Sequence, residues 1–306
     1  MVLTGGVGGA KLVLGLQHVV EPASITAIVN TGDDFRHFGL AVSPDIDTLL
    51  YTLSGKANAA QGWGRAGETW SFMAAARELG GPGWFQLGDG DLALHILRSD
   101  ALARGRTLSE VTRGFATAMG IEAVVLPMSD DPVSTMVETD EAVLEFQRYF
   151  VELRCEPEVR AIRFEGAAIS SPAPGVIEAI TSPNTQAILV APSNPFLSID
   201  PILVVPGIAE ALTAALAPIV AVSPIVGGQA VKGPTAKLMR EFGLKIDAAT
   251  IAGHYAPWLD GILVDERDPE PALSIPCGRA DTLMNDLPDR IRVARAALDL
   301  ARRIGR

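Results

Sequence analysis

The chain begins with MVLTGGVGGAKLVLGLQHVV (residues 1–20), and this stretch sets the pattern of the fold. Met1–Thr4 is a short apolar segment typical of a buried strand, Gly5–Gly9 is a glycine loop, and Ala10–Val20 has the apolar pattern of a helix. This order leaves free backbone N–H groups at the start of the helix, where an anion such as phosphate binds well.

Four glycines in the loop, Gly5, Gly6, Gly8 and Gly9, exceed what a turn requires and allow phosphate oxygens to approach the backbone. The loop is not a Walker A motif, because no Gly-Lys-Ser/Thr follows it. It is not a clean G-x-G-x-x-G fingerprint either, because Lys11 stands where the third glycine belongs. A tight strand–helix turn without a ligand is the alternative interpretation.

Short apolar segments recur along the chain, separated by helical patterns. Thr107 and Glu110 form a capping box before one helix. Pro234 and Gly243 mark the ends of another, and Asp286–Ile304 has the pattern of a long helix. We therefore predict an α/β fold, a doubly wound, mostly parallel, Rossmann-like sheet with helices on both faces. The later predicted strands are Ile25–Val29, Ala123–Leu126, Ala187–Ala191, Ile219–Val222 and Ile262–Val264.

The segment between residues 133 and 171 breaks this alternation. It contains three strand-like patches without helices between them, Ser134–Glu138, Phe146–Leu153 and Ala161–Phe164. We predict one α/β nucleotide-binding domain over residues 1–306, with a small antiparallel subdomain inserted at about 133–171.

Composition and charge exclude several classes of protein. The 306 residues are 48% hydrophobic, which is typical of a globular chain, and the net charge of −11 argues against binding to nucleic acids or anionic membranes. The most apolar stretch, Ala211–Val226, is interrupted by Pro218 and is shorter than the roughly 20 residues that a bilayer needs. Cys155 and Cys277 make no disulfide framework, and no signal peptide is visible, so we expect a cytoplasmic location.

A group of acidic residues follows the second predicted strand. Asn30 ends that strand, Asp33 and Asp34 come next, and Asp45 and Asp47 follow shortly after. Ligands of doubly wound sheets bind beyond the carboxyl ends of the strands, and carboxylate oxygens suit Mg²⁺. A solvated acidic loop, or Asp45 and Asp47 as helix caps, is the alternative, but the neighbouring phosphate loop favours a metal.

Two further motifs carry candidate binding residues. Trp63 lies between glycines, which give it no apolar neighbours, so a flat ligand could stack on it. Asp89 lies in the sequence Gly-Asp-Gly-Asp at 88–91, where Asp91 would cap a helix that carries His95. A structural role for His95 is the alternative to a binding role.

Two later loops complete the candidate site. Ser193 and Asn194 follow a predicted strand and offer directional hydrogen bonds to a base or a ribose. Gly228 and Lys232 lie in a second glycine loop, which offers another anion site at a helix start. Two phosphate loops and an acidic cluster together suggest a nucleotide diphosphate with Mg²⁺.

These motifs together resemble the 2-phospho-L-lactate transferase family, which makes the deazaflavin coenzyme F-420. They follow one another in order across nearly the whole chain. The matching segments are GGVGGAKL (5–12), NTGDD (30–34), SPDIDT (43–48), GWG (62–64), GDGDLALH (88–95), PMSDDPV (127–133), PSNPFLSIDPIL (192–203) and SPIVGGQAVKGPTAKLM (223–239).

The resemblance implies a reaction and its partners. The donor is a GDP-activated acid, namely phospholactate, phosphoenolpyruvate or phosphoglycerate. The ribityl hydroxyl of the deazaflavin Fo attacks the β-phosphorus of the donor, and GMP leaves. The resemblance places Mg²⁺ on Asp33 and Asp47, the guanosine toward Ser193–Pro195 and the diphosphate over Gly5–Lys11, and it implies a homodimer.

Such a reaction depends mainly on positioning and charge stabilisation. Lys11 or Lys232 would offset the developing negative charge. Asp34 or Asp45 would orient or deprotonate the attacking hydroxyl as a general base. The sequence leaves open which of the three acids the donor carries.

One position departs from the family pattern. The family has Gly-Asp-Arg-Asp where this chain has Gly88-Asp89-Gly90-Asp91. Gly90 removes a cation from the expected acceptor pocket, and Arg65 or Arg36 could supply one from elsewhere.

Two other functions compete with the transferase. The related gluconeogenesis-factor proteins share the fold and bind a nucleotide sugar without catalysis, but the NTGDD, SPDIDT and PSNP segments favour the transferase. Two features argue against a nicotinamide-dependent oxidoreductase. Lys11 stands where the third glycine of the fingerprint belongs, and no acidic residue ends the second strand.

Overall fold

The computed structural model describes residues 1–58, 61–231 and 233–305. Its strands in these ranges are β1 (Val2–Thr4), β2 (Thr26–Val29), β3 (Phe35–His37), β4 (Leu40–Val42), β5 (Val124–Pro127), β6 (Ser134–Thr139), β7 (Val143–Glu145), β8 (Val159–Glu165), β9 (Ile188–Val190), β10 (Ile219–Val222), β11 (Ile225–Val226), β12 (Gln229–Ala230), β13 (Gly261–Asp265) and β14 (Cys277–Ala280). The α-helices are α1 (Gly6–Leu16), α2 (Pro44–Leu53), α3 (Ser71–Glu78), α4 (Asp91–Ala103), α5 (Leu108–Ala118), α6 (Val176–Thr181), α7 (Asp200–Leu203), α8 (Ile208–Thr213), α9 (Thr235–Glu241), α10 (Ala248–His254) and α11 (Leu287–Ile304).

The central sheet has seven strands in the order β14-β13-β10-β9-β1-β2-β5, and every neighbouring pair is parallel. The chain starts in the middle of the sheet at β1, adds β2 and β5 on one side, and then crosses to β9 on the other. The predicted doubly wound parallel sheet is therefore confirmed. The direction in which successive strands are added to the sheet therefore reverses between β1 and β9. Such a reversal opens a crevice for a ligand at the carboxyl ends of the strands.

Successive residues of the central strands face two different layers of helices. Leu3 and Ile28 lie in the apolar core shared with α6, α8 and α10, whereas Val2 and Ala27 lie in the core shared with α1, α2 and α11. All four side chains are buried. Because both faces of the sheet are covered, its strands are continuously apolar in sequence, as we expected.

The inserted segment contains the antiparallel sheet that the sequence predicted, in the order β7-β6-β8. The prediction of a strand over Phe146–Leu153 is wrong, because the strand ends at Glu145 and a helical turn covers Arg148–Glu152. Phe146 and Phe150 stack with their ring centroids 5.2 Å apart, which is the contact expected for residues four apart on a helix.

The helix predictions hold with shifted ends. Thr107 and Glu110 form the predicted capping box of α5, and Asp286 caps α11 through its side chain. Helix α1 begins at Gly6 rather than at Ala10, so most of the glycine loop forms the first turn of the helix. No helix in the described ranges is both long enough and apolar enough to cross a membrane.

Candidate active site

The crevice between β1 and β9 is closed at its base by two residues that lie 188 positions apart. The Ser193 hydroxyl donates a hydrogen bond to the Gly5 carbonyl oxygen at 2.7 Å, and its oxygen lies 3.3 Å from the Gly5 nitrogen as acceptor. Both contacts are buried. The structure thus brings together the first glycine loop and the Ser193 loop, which the sequence assigned to the diphosphate and the guanosine.

The glycines of this loop have different roles. A Cβ atom on Gly8 would lie 2.8 Å from the Pro192 carbonyl oxygen, and one on Gly9 would collide with the Thr4 hydroxyl, so these two glycines allow α1 to pack closely. Gly6 has φ of +65°, and no atom of the described residues lies within 4 Å of its Cβ position. The space at Gly6 is therefore open, but the Gly6 N–H donates to Asp45, so an anion would use the N–H groups that follow it in the first turn of α1.

Three aspartates meet beside this loop in the protein interior. Asp33 and Asp45 are only 6% and 7% exposed. The Asn30 amide nitrogen donates to Asp45 Oδ2 at 2.9 Å, and the Ser43 hydroxyl donates to Asp34 Oδ2 at 2.6 Å. Asn30, Asp33, Asp34 and Asp45 thus form one cluster. The sequence singled out these residues because they follow β2 or lie at the start of α2.

The electrostatics of this cluster disfavour its charged form. Burial raises the pKa of Asp33 well above its ordinary range, and the charge of Asp45 adds to the shift. Burial also raises the pKa of Asp34 well above its ordinary range, although the Ser43 hydrogen bond opposes the shift. The pKa of Asp45 is raised by burial to about 6, against hydrogen bonds from Asn30 and the Gly6 backbone.

The cluster fits a divalent cation. Oδ1 of Asp33 and Oδ1 of Asp34 are buried, and neither has a hydrogen-bond partner among the described residues. Buried carboxylate oxygens without a partner are unfavourable unless a cation or a proton compensates them. Mg²⁺ binds such hard oxygen ligands through one or two carboxylates, with phosphates and waters completing its shell.

Asp47 belongs to a second, adjoining network. Arg98 contacts both of its carboxylate oxygens. Burial alone would lower the pKa of Arg98, but the pairing with Asp47 raises it. Nδ1 of His95 lies 3.7 Å from Asp47 and its Nε2 lies 3.1 Å from Asp91, which also accepts a hydrogen bond from Tyr51.

This second network changes two expectations. Asp91 contacts Tyr51 and His95 and does not cap α4, which has no side-chain cap among the described residues. Ligand atoms of Asp47, Asp91 and His95 lie within 4.8 Å of one another, but Arg98 already neutralises Asp47. The predicted metal pair of Asp33 and Asp47 is thus divided between two networks.

Two predicted contact residues already have partners in the fold. Lys11 Nζ donates to the Met284 carbonyl oxygen at 2.6 Å, so the fold already uses one of the three donors of this ammonium. Asn194 Oδ1 accepts from the backbone N–H groups two and three residues later. Its Nδ2 is buried and lacks a hydrogen-bond partner in the described part of the chain, so it remains a candidate donor to a ligand.

The second glycine loop is a β-hairpin of β11 and β12, not the direct start of a helix. The Gly228 N–H donates to Asp268 at 2.8 Å, so this N–H is occupied by a carboxylate of the protein itself. Lys232 lies outside the described residues.

Trp63 has an exposed side chain, whereas the carboxylate of Asp89 already accepts hydrogen bonds within the fold. Trp63 is 49% exposed, in agreement with the inference that it is not a core residue. Asp89 accepts hydrogen bonds from the Thr69 hydroxyl and from the backbone N–H groups of Ser71 and Phe72, and these bonds lower its pKa. Asp89 therefore fixes the start of α3.

Of the two arginines expected to compensate for Gly90, one lies beside it. The Cζ atom of Arg65 lies 2.8 Å from the position that a Cβ on Gly90 would take. Arg36 instead donates to the carbonyl oxygen of Gly39 at 3.0 Å.

Arg98 and Tyr51 are site residues that the sequence analysis missed. Asp91, His95 and Arg98 follow at spacings of four and three, which place them on one face of α4. This spacing is the signal that could have revealed the second network. Tyr51 gives no comparable signal, because it lies in a helix of mostly apolar residues.

The inserted segment covers the aspartate cluster. A small cavity there is lined by residues 32–35 on one side and by residues 134–135 and 145–147 on the other. The Thr135 N–H donates to the Gly32 carbonyl oxygen at 2.7 Å, which fixes the insertion next to Asp33.

Comparisons with known proteins identify the family of the chain. A family model described as 2-phospho-L-lactate transferase CofD matches residues 1–280. A phosphoenolpyruvate transferase of Kitasatospora aureofaciens is 45% identical, over 99% of this chain and 97% of its own length. A 2-phospho-L-lactate transferase of Methanosarcina mazei is 38% identical, over 93% of this chain and 94% of its own length.

A solved structure shows the same fold. A member of the UPF0052 family from Bacillus halodurans superposes with a TM-score of 0.64 at 19% identity, over 97% of both chains. The fold, the crevice and the motif order thus agree with the family match over residues 1–280. The chain belongs to the 2-phospho-L-lactate transferase CofD family.

Proposed function

We propose that this protein is a transferase of coenzyme F-420 biosynthesis, which moves a substituted phosphate group from a GDP-activated acid to the ribityl hydroxyl of the deazaflavin Fo and releases GMP. One observation carries the proposal beyond family membership. The start of α1, which has open space at Gly6, lies directly beside the carboxylates of Asp33, Asp34 and Asp45. Phosphoryl transfer needs this combination of anion binding and a charged group near the reacting phosphorus.

We propose phosphoenolpyruvate as the acid of the donor. The relatives named phosphoenolpyruvate transferase, from Kitasatospora aureofaciens and Streptomyces griseus, are 45% and 44% identical to this chain. Those named 2-phospho-L-lactate transferase, from two Methanosarcina species, are 38% and 39% identical. The phospholactyl and phosphoglyceryl donors are the competing substrates in the test.

We propose that Asp33 and Asp34 hold Mg²⁺. When bound, the metal would neutralise the carboxylates and polarise the phosphate oxygens of the donor. Asp47 is less available to this set, because Arg98 contacts both of its oxygens. The unpaired Oδ1 atoms of Asp33 and Asp34 support the assignment.

The residues of the chain itself would act in three ways. Backbone N–H groups at the start of α1 bind and orient the diphosphate. Asp45 accepts the proton of the ribityl hydroxyl while the hydroxyl oxygen attacks the β-phosphorus of the donor. The bond from that phosphorus to the oxygen of GMP breaks, and the inserted segment over Asp33 limits the access of water. A base with a pKa near the working pH is the most efficient, and Asp45 has a pKa of about 6.

The test is the release of GMP from each of the three donors mixed with Fo, with Mg²⁺ or with EDTA. We expect release only with Mg²⁺, and the highest kcat/KM with the phosphoenolpyruvyl donor. Asp33→Asn should lower kcat by about a hundredfold or more, since it removes a ligand next to the reacting phosphate. Asp100→Asn, an exposed carboxylate on α4, is the matched control and should retain full activity.

Failure of all three donors would refute the transferase. A rise in melting temperature with a UDP-sugar but not with GDP would favour a nucleotide-sugar binder instead. The homodimer and the cytoplasmic location remain part of the proposal. Light scattering of the purified protein tests the homodimer, and fractionation of cells tests the location.

A further inference from the structure

The loop between α2 and α3 places a cation over Gly90. The guanidinium of Arg65 occupies the volume that a side chain at position 90 would need, with Cζ 2.8 Å from the position of a Cβ atom. A side chain at position 90 would displace the end of Arg65, so the position of this guanidinium depends on the glycine.

Arg65 is held in this place by a short network. Its Nη1 lies 3.2 Å from Oε1 of Glu68, and Oε2 of Glu68 accepts the Gly90 N–H at 2.6 Å. The backbone of Arg65 pairs with Ala57 in an isolated bridge. The side chain of Glu68 is 7% exposed and that of Arg65 is 33% exposed. Glu68 thus holds Nη1 of Arg65, while a third of the Arg65 side chain remains exposed to a ligand.

The donors of Arg65 are only partly used. Within residues 1–58, 61–231 and 233–305, Nη1 contacts Glu68 and the Ala66 carbonyl oxygen, whereas Nε and Nη2 have no partner. A guanidinium presents its five N–H donors in a planar fork, which matches a flat group with acceptor oxygens at its edge. Because Glu68 already neutralises the charge, the site suits a neutral acceptor better than a second anion.

Two features nearby extend this surface. Trp63, two residues before Arg65, is half-exposed and lies between two glycines with positive φ. His95 follows Gly90 by five residues along α4, a rise of about 7.5 Å, and contacts Asp47 at 3.7 Å. The same helix therefore joins the Arg65 end of the surface to the acidic end.

We propose that Arg65 is a binding residue that selects the acceptor substrate, by donating hydrogen bonds to the carbonyl edge of a neutral, planar heterocycle whose hydroxylated side chain extends along α4 toward the aspartates. The ring would lie against Trp63. This inference rests on the proposed transferase function, and Fo has the required chemistry, a planar ring with a ribityl chain.

Arg65→Ala tests the inference in the GMP-release reaction with Fo as the varied substrate. Hydrogen bonds to a charged group contribute about 1.5–3 kcal/mol, so the KM for Fo should rise about 10- to 100-fold. The KM for the donor should stay within about twofold, because the anion site at α1 is untouched. Arg104→Ala, which replaces an exposed arginine that directly follows α4 and pairs with Asp100, is the matched control and should leave both constants unchanged.

Two variants at position 90 test the location of the guanidinium. Gly90→Ala should displace the flexible end of Arg65 and raise the KM for Fo without unfolding the protein. Gly90→Arg combined with Arg65→Ala should return the KM for Fo to within about fivefold of the wild type, because it restores a guanidinium to the same place. Circular dichroism melting curves confirm that each variant is folded.

The outcomes separate the two proposals. If the wild type releases GMP but Arg65→Ala and Gly90→Ala, both folded, keep the wild-type KM for Fo, the role of Arg65 is overturned and the transferase stands. If Arg65→Ala lowers kcat and leaves the KM for Fo unchanged, Arg65 is not an acceptor-binding residue. If the wild type releases no GMP with any donor, the transferase itself fails.

Discussion

Arg98 on α4 contacts both carboxylate oxygens of Asp47 on α2, with Nη1 3.1 Å from Oδ2. The pair is buried, with 1% of the Arg98 side chain and 7% of the Asp47 side chain exposed. It joins the start of α2 to α4 and keeps Asp47 neutralised beside the cluster of Asp33, Asp34 and Asp45. The site thus has one compensated carboxylate next to three that burial pushes toward protonation.

Replacing Arg98 by methionine should destabilise the protein strongly. The change leaves Asp47 buried without its partner, and breaking a buried pair lowers the free energy of unfolding by about 3–5 kcal/mol. Urea unfolding followed by circular dichroism measures the change. Arg104→Met removes the exposed pair with Asp100 and should change the free energy of unfolding by less than about 1 kcal/mol. Equal effects of the two substitutions would contradict the role assigned to Arg98.

The stability of the metal-free protein should fall as the pH rises from about 4 to above 6. The pKa of Asp45 is raised from 3.8 to about 6 in the folded state. Its contribution to stability is therefore fully present below the unfolded pKa and is lost as the pH rises through about 6, by on the order of a few kcal/mol. Melting temperatures in EDTA between pH 4.5 and 8 measure this, and Asp45→Asn should flatten the profile.

Mg²⁺ should oppose that loss. A cation binds the ionised carboxylates, so the rise in melting temperature on adding Mg²⁺ should be larger at pH 7.5 than at pH 5. Differential scanning fluorimetry with Mg²⁺ or EDTA gives both values, and Asp33→Asn should remove most of the difference. An equal effect of Mg²⁺ at both pH values would argue against a metal on these aspartates.

Alanine at Gly9 should destabilise the protein, because its Cβ atom would collide with the Thr4 hydroxyl beneath α1. Overpacking of this kind lowers the free energy of unfolding by about 1–3 kcal/mol. Gly114 is the matched control, since it lies exposed in α5 with no described atom within 4 Å of its Cβ position. Gly114→Ala should stabilise by about 0.5–1 kcal/mol. Chemical unfolding of both variants measures their free energies of unfolding. A lower free energy of unfolding for Gly114→Ala would contradict the steric role assigned to Gly9.

Ser193→Ala should weaken both the fold and the donor site. The substitution leaves the buried Gly5 carbonyl without its donor, which lowers the free energy of unfolding by about 1–3 kcal/mol. Because Ser193 joins the loops after β1 and β9, the Kd for GDP, measured by calorimetry, should rise. Ser24→Ala, which removes an exposed hydroxyl bonded to the Glu21 carbonyl oxygen, should change neither. An unchanged Kd for GDP in Ser193→Ala would show that this contact does not shape the donor site.

Much of the fold was predictable because the signals are local. The apolar segment before Gly5, the glycines of α1 and the capping box of Thr107 and Glu110 specify a strand, a close turn and a helix from neighbouring residues alone. The sequence also placed Asp33 and Asp45 after one strand and before one helix. It failed over Phe146–Leu153, where side chains at helical spacing resembled a strand.

The amino-acid sequence by itself determined the doubly wound class of the fold, the glycine loop and the presence of carboxylates beside it, because each depends on residues close together in the chain. Only the tertiary structure decided which partners they have. Asp47 meets Arg98 51 residues away, Lys11 meets Met284 273 residues away, and Arg65 fills the space over Gly90. Such contacts depend on the order of the strands and the packing of whole helices, which bring together residues far apart in the chain.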